Sequence, residues 1–172
     1  MLAAAGIPVT DEQVVGSVDD AAAAATRIGF PVVLKIVSPD IAHKSDVGGV
    51  LLNLVDEATV LAGFTTIVER VSQAVPTARI DGVLIAQMVS KGLETVLGVV
   101  RDPLFGPVVM FGLGGIFVEV LRDVVFRPAP FGMEEARAMI DQARGGAMFE
   151  GIRGAPPADI DALADALSKL SL

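Results

Sequence analysis

A mixed α+β chain in two lobes is predicted, on three observations. Up to about Ala78, helix-patterned segments alternate with short β-branched runs in a βαβ-like order. Beyond it, several short strands come first and helices close the chain. The composition suits a globular protein, with 52% hydrophobic and 20% charged residues, and 172 residues are enough for one ordinary domain or two small lobes. The expected division is 1–78 and 79–172.

The elements follow in order. Leu2–Ala5 before Gly6 and Pro8 reads as the last turn of a helix and its stop signal, as though the chain were cut from a longer one. Ser17 or Asp19 caps a helix over Asp20–Ile28, which Gly29 and Pro31 end. Val32–Val37 is a strand, Ser38–Gly49 a loop and Val50–Val55 the return strand. Asp56 caps a helix carrying Val60, Leu61, Phe64, Ile67, Val68 and Val71 on one face. Val83–Val89 is a strand, Ser90–Gly92 a turn and Thr95–Val100 its partner strand. Pro107–Phe111 is a strand, Gly112–Gly115 a turn, and Phe117–Phe126 an extended or mixed stretch. Helices over Met133–Ala143 and Asp159–Leu170 finish the chain.

Several function classes are excluded or disfavoured. A net charge of −8 argues against a general nucleic-acid binder. No cysteine is present, so disulfides, thiolate metal sites and thiol nucleophiles are out; this fits a cytoplasmic location. No apolar run reaches the ~20 residues of a membrane span, and the first residues lack a signal-peptide pattern. Without Trp or Tyr, bases cannot stack on those rings.

The segment Phe30–Val50, FPVVLKIVSPDIAHKSDVGGV, is the most informative. Lys35 lies inside an apolar run, where a buried ammonium requires an anionic partner, from the protein or from a ligand. The loop that follows holds His43, Lys44, Ser45 and Asp46 and then Gly48-Gly49. Lysines beside a glycine pair suit a phosphate cradle, in which backbone N–H groups face the anion and the lysines neutralise it. His43 is the only histidine, and imidazole can carry a phosphoryl group. An ordinary polar hairpin loop and a salt-bridged structural lysine are the alternatives.

These residues, with VLIAQMVSKGLETVLGVVRDPLFGPVVMFGLGGIFVEVLRDVVFRPAPF from Val83 to Phe131, resemble the ATP-grasp domain of NDP-forming acyl-CoA synthetases, the ADP-forming acetate–CoA ligases. The β subunit of succinyl-CoA synthetase is a more distant relative. The resemblance covers nearly the whole chain, and HKSDVGG together with FGPVVMFGLGG carries most of its specificity. It implies an α+β ATP-grasp fold, two lobes with a nucleotide cleft between them. It also implies ATP/ADP binding by Lys35, Lys44, Gly48 and Gly49, and a phosphocarrier role for His43 assisted by Lys44. Gln87, Met88 and Val89 match the inter-lobe hinge that reads adenine, and Glu94 matches a ribose-binding carboxylate. Gln87 stands where the family is expected to have glutamate. Gly112, Gly114 and Gly115 match a stretch that lines the cleft. Glu119, Asp123 and Arg127 follow it, as ligand contacts or packing ion pairs.

The resemblance also implies Mg²⁺, held by an acidic residue and a late Asn-Pro-Leu segment. The only asparagine is Asn53, and no Asn-Pro occurs. The expectation is a domain incomplete at its C-terminus, with no metal ligands to name. The implied reaction of the whole enzyme is acyl-CoA + ADP + Pi = acid + CoA + ATP through phosphohistidine. CoA-binding and ligase domains would be supplied in cis or by another subunit. The rival readings are a non-catalytic nucleotide-binding or subunit-contact module, and the homologous domain of a protein acetyltransferase.

Overall fold

The computed structural model describes residues 2–90, 92–115, 124–143, 148–151 and 156–172. Two compact units emerge: Thr10–Ser90, and Met1–Val9 with Lys91–Leu172. The expected boundary at residue 78 falls ahead of a strand, Gly82–Gln87, whose pairing places it in the first unit.

The first unit is a four-stranded sheet covered by two helices. Its elements are β1 (Glu12–Val15), α1 (Val18–Ile28), β2 (Val32–Val37), β3 (Val50–Leu54), α2 (Glu57–Ala74) and β4 (Gly82–Gln87). The order β1-β4-β2-β3 has every neighbouring pair antiparallel. The expected βαβ-like lobe is thus two interleaved split units, each with a foreign strand between its own two. β1 has no counterpart in the sequence reading. Four residues with one buried side chain carry too little alternation to announce a strand.

The helices form where their caps predict. Ser17 accepts from the Asp20 N–H at 3.2 Å to start α1, and Gly29, at φ 93°, ends it. Asp56 and Thr59 make a reciprocal capping box at the start of α2. The core gathers Val32, Leu34, Ile36, Val83 and Ile85 from the sheet with Ala21, Ala24 and Ala25 of α1. Val60, Phe64, Ile67 and Val71 of α2 complete it. Small residues bring the layers close. A methyl group on Gly63 would come within 2.7 Å of Leu54 Cδ2.

The second unit holds β5 (Thr95–Asp102), β6 (Gly106–Leu113), β7 (Val124–Pro128), α3 (Met133–Gln142) and α4 (Ile160–Leu170). Its sheet runs β5-β6-β7, all antiparallel. Thr95–Val100 therefore pairs with β6 rather than with Val83–Val89 as expected. Both flanks of β4 are already taken by β1 and β2, and a tight turn joins β5 to β6. In that turn Asp102 accepts the Leu104 and Phe105 N–H groups, and Gly106 supplies φ 75°. Gly112, expected in a turn, lies within β6. The core stacks Val109, Phe111 and Leu113 against Met139 and Ile140 of α3 and Ala164 and Leu167 of α4. The expected N-terminal helix end is a 3₁₀ turn at Ala3–Ala5, closed by Gly6 at φ 73°. Gly6 O accepts from Lys169 of α4 at 3.2 Å. No described helix is long and apolar enough to cross a membrane.

Candidate functional site

Lys35, His43, Lys44, Gly48 and Gly49 all lie on the β2–β3 hairpin. Its connecting loop is tied down at several points. Ile41 is buried and Val47 packs against the core. Asp40 accepts the Arg79 N–H at 2.8 Å. Between these anchors, His43 is exposed and Lys44 half-buried, and Lys44–Val47 forms a short 3₁₀ turn.

The glycine pair closes this turn. Gly48 adopts φ 68°, which disfavours any residue with a Cβ. The Gly49 N–H donates to Lys44 O at 2.8 Å, and the Gly48 N–H to Ser45 O at 3.2 Å. Gly49 O accepts the Ile36 N–H at 2.9 Å, joining the turn to β2. The expectation that these N–H groups face an anion is therefore corrected, because both are spent inside the turn. The glycines shape the loop.

Lys35 corrects a second expectation. It is exposed, not buried, because alternation along β2 turns Val32, Leu34 and Ile36 to the core and Lys35 away from it. In register it sits in a cross-strand row, Val14–Leu84–Lys35–Val50, as one ammonium among apolar neighbours. None of the ion pairs among the described residues involves Lys35 or Lys44. The pairing of Lys35 with Val50, next to Gly49, places it where the loop rejoins the sheet.

Gln87 ends β4, and Met88 and Val89 follow it. The Gln87 N–H donates to Asp11 O at 3.0 Å and the Met88 N–H to Pro31 O at 3.1 Å. Those two donors are occupied within the unit.

Glu94 belongs to the second unit, where it meets the glycine motif. Its carbonyl accepts the Gly114 N–H at 2.7 Å. A Cβ on Gly114 would lie 3.1 Å from Glu94 atoms, and one on Gly115, at φ 60°, would lie 3.1 Å from Glu94 Oε2. Two segments far apart in sequence thus converge, and the missing side chains leave room for the carboxylate. Arg127 is a packing residue: it pairs with Glu135 and donates to Gln142 Oε1 at 2.7 Å, holding β7 to α3. Glu119 and Asp123 lie outside the described residues. Among the described residues no group of three or more His, Asp or Glu is placed to hold a metal. Sequence reasoning passed over Arg70 of α2, whose stem runs along Gly48. Its only signal was a cation next to a core position, Val71, on the helical period.

A strand-and-glycine framework of this kind, with lysines and a histidine on one hairpin, matches a known class. The ATP-grasp domain family model covers residues 1–172, and the chain belongs to that family. Within it, the chain groups with the ADP-forming acetate–CoA ligases. It is 50% identical to acetate–CoA ligase [ADP-forming] I of Archaeoglobus fulgidus over 100% of its own length and 25% of that protein's. It is 46% identical to the subunit beta of acetate–CoA ligase [ADP-forming] I of Pyrococcus furiosus, over 96% of its own length and 71% of the subunit's. A solved structure of the dinucleotide-forming acetyl-coenzyme A synthetase 1 of Ca. Korarchaeum cryptofilum superposes with TM-score 0.84 at 42% identity. The match covers 99% of this chain and 72% of that one. That structure is a complex with coenzyme A and Mg-AMPPCP, its phosphohistidine segment pointing towards the nucleotide-binding site. The chain thus spans about a quarter of the A. fulgidus relative and about seven tenths of the separate subunit.

Proposed function

We propose that this chain is the nucleotide-binding, phosphoryl-transfer part of an ADP-forming acid–CoA ligase. The observation that supports it most is the β2–β3 hairpin. It carries Lys35, His43 and Lys44 together, with no ion pair to either lysine among the described residues. Cations so placed lower the cost of bringing phosphate oxygens together and stabilise charge as a phosphoryl group moves. The nucleotide is ADP or ATP. Gln87, Met88 and Val89 would meet the base, Glu94 the ribose hydroxyls, and Lys35 and Lys44 the phosphates. The remaining domains, which bind CoA and form acyl phosphate, are supplied by the same polypeptide or by a partner subunit, as the fused and separate relatives exemplify.

His43 is the proposed relay. Its imidazole nitrogen attacks the phosphorus of a phosphohistidine brought from elsewhere in the enzyme; a new N–P bond forms as the old one breaks. A β-phosphate oxygen of ADP then attacks, the N–P bond at His43 breaks, and ATP results. Mg²⁺, when bound, would screen the phosphate oxygens.

The test is labelling of the intact enzyme with γ-labelled ATP and Mg²⁺. The expected result is an acid-labile, base-stable label on the peptide containing His43. His43→Asn should lose that label and the overall reaction while keeping nucleotide affinity. Turnover of His43→Asn at near-parent rate would remove the relay role. Nucleotide binding without any transfer would instead favour a non-catalytic binding module.

A further inference from the structure

We propose that Arg70 is a third cation of the phosphate loop, directed at the phosphoryl group in transit at His43. The proposal rests on the reading that the His43–Gly49 loop handles phosphate. It adds a residue from a different element to that loop.

Helix α2 meets the loop through two consecutive residues. Val71 packs beneath the turn, its Cγ2 lying 3.3 Å from where a Cβ on Gly49 would stand. Arg70 lies along the next glycine. A Cβ on Gly48 would stand 3.3 Å from Arg70 Cδ, 3.7 Å from its Cβ and 4.0 Å from its Cγ. The bare backbone of Gly48, in its left-handed conformation, therefore makes a bed for the arginine stem. The stem lies along the glycine that closes the Lys44–Val47 turn, the turn that follows His43.

The charges nearby do not neutralise it. Glu69 adjoins Arg70 on α2, and Asp46 precedes Gly48 in the loop. Neither forms an ion pair with Arg70, and none of the ion pairs among the described residues involves it. Arg70 is exposed, so it is not retained to fill the core. A guanidinium presents a planar fork matched to two phosphoryl oxygens, which a lysine ammonium cannot reproduce. Packing of the stem on Gly48 also removes part of the ordering cost that a long side chain normally incurs on binding.

The charge of a phosphoryl group spreads over its oxygens during transfer, so an arginine aimed there acts more on rate than on nucleotide affinity. In the intact enzyme, Arg70→Ala should slow labelling from γ-labelled ATP by roughly tenfold or more, with calorimetric affinity for ADP changed less than about threefold. Arg70→Lys should recover only part of the rate. The thermal midpoint of both variants should match the parent, which separates loss of the charge from loss of the fold. Labelling of Arg70→Ala at the parent rate would overturn the proposal, as would full recovery by Arg70→Lys. Lys44→Ala, measured in parallel, tells the two failures apart. If Lys44→Ala is impaired and Arg70→Ala is not, the loop reading stands and Arg70 has no part in it. If neither is impaired, the loop reading itself fails and the proposal with it.

Discussion

At Gly49 a single hydrogen separates a folded loop from a clash. A methyl group there would lie 2.7 Å from Ile36 Cγ2 and 2.9 Å from Lys44 O, and the second of these is backbone that cannot swing aside. Gly49→Ala should destabilise the protein by about 1–3 kcal/mol, read as a lower urea midpoint with unchanged slope. An unaltered midpoint would mean that the turn relaxes freely. Lys35 behaves in the opposite way. It is exposed on the sheet, so Lys35→Ala should leave stability within about 0.5 kcal/mol of the parent. Its effect should appear in nucleotide binding instead. Calorimetric titration should show a larger loss of ADP affinity for Lys35→Ala than for Glu94→Ala, since a charge-assisted phosphate contact outweighs an exposed hydroxyl contact. Equal affinity of Lys35→Ala and the parent would remove Lys35 from the site.

Among the elements, the β5–β6 turn depends on one carboxylate. The Phe105 and Leu104 backbone N–H groups hold Asp102 below the usual carboxylate range. The charged form is the one the turn favours, so its contribution is present above that range and is lost as pH falls through the lowered value. The Leu104 and Phe105 amide NMR signals should therefore move together with a midpoint below that of a free aspartate. A midpoint at the ordinary value would show that the bonds do not form in solution. Helix α4 makes a different demand. Leu167 is fully buried in the core of the second unit, and Leu167→Ala should cost about 2–5 kcal/mol in chemical denaturation. A cost below about 1 kcal/mol would mean that α4 contributes little to that core.

The whole molecule covers only part of the relatives it matches. The chain spans 25% of the A. fulgidus relative and 71% of the P. furiosus subunit. The 172 residues alone should bind ADP but form no acyl-CoA from acid, CoA and ATP above background in a thioester assay. Under the proposed role, adding the CoA-binding domains of such a ligase should give activity. Enzymatic acyl-CoA formation by the 172 residues alone would overturn this assignment of roles.

The sequence by itself determined most of the local elements and the family resemblance. Ser17, Gly29 and Asp56 mark helix ends because capping is a matter of a few adjacent residues, and the helix faces follow from a period that any stretch of chain displays. The motif residues HKSDVGG and FGPVVMFGLGG were legible for the same reason, as runs of particular side chains. Tertiary structure decided what depends on partners distant along the chain. β4 is claimed on both flanks by β1 and β2, so Thr95–Val100 had to pair elsewhere, and no local pattern records that competition. Lys35 looked buried because its neighbours are apolar, yet only the placement of α1 and α2 shows which face of β2 is covered. Gly49 looked like a ligand-facing glycine until Ile36 and Val71 were seen to fill the space beside it. Arg70 met the loop only because α2 packs across the hairpin. Side-chain type and short-range period are written in the order of residues, whereas sheet order, facing and close approach follow from which apolar surfaces find each other when the chain closes on itself.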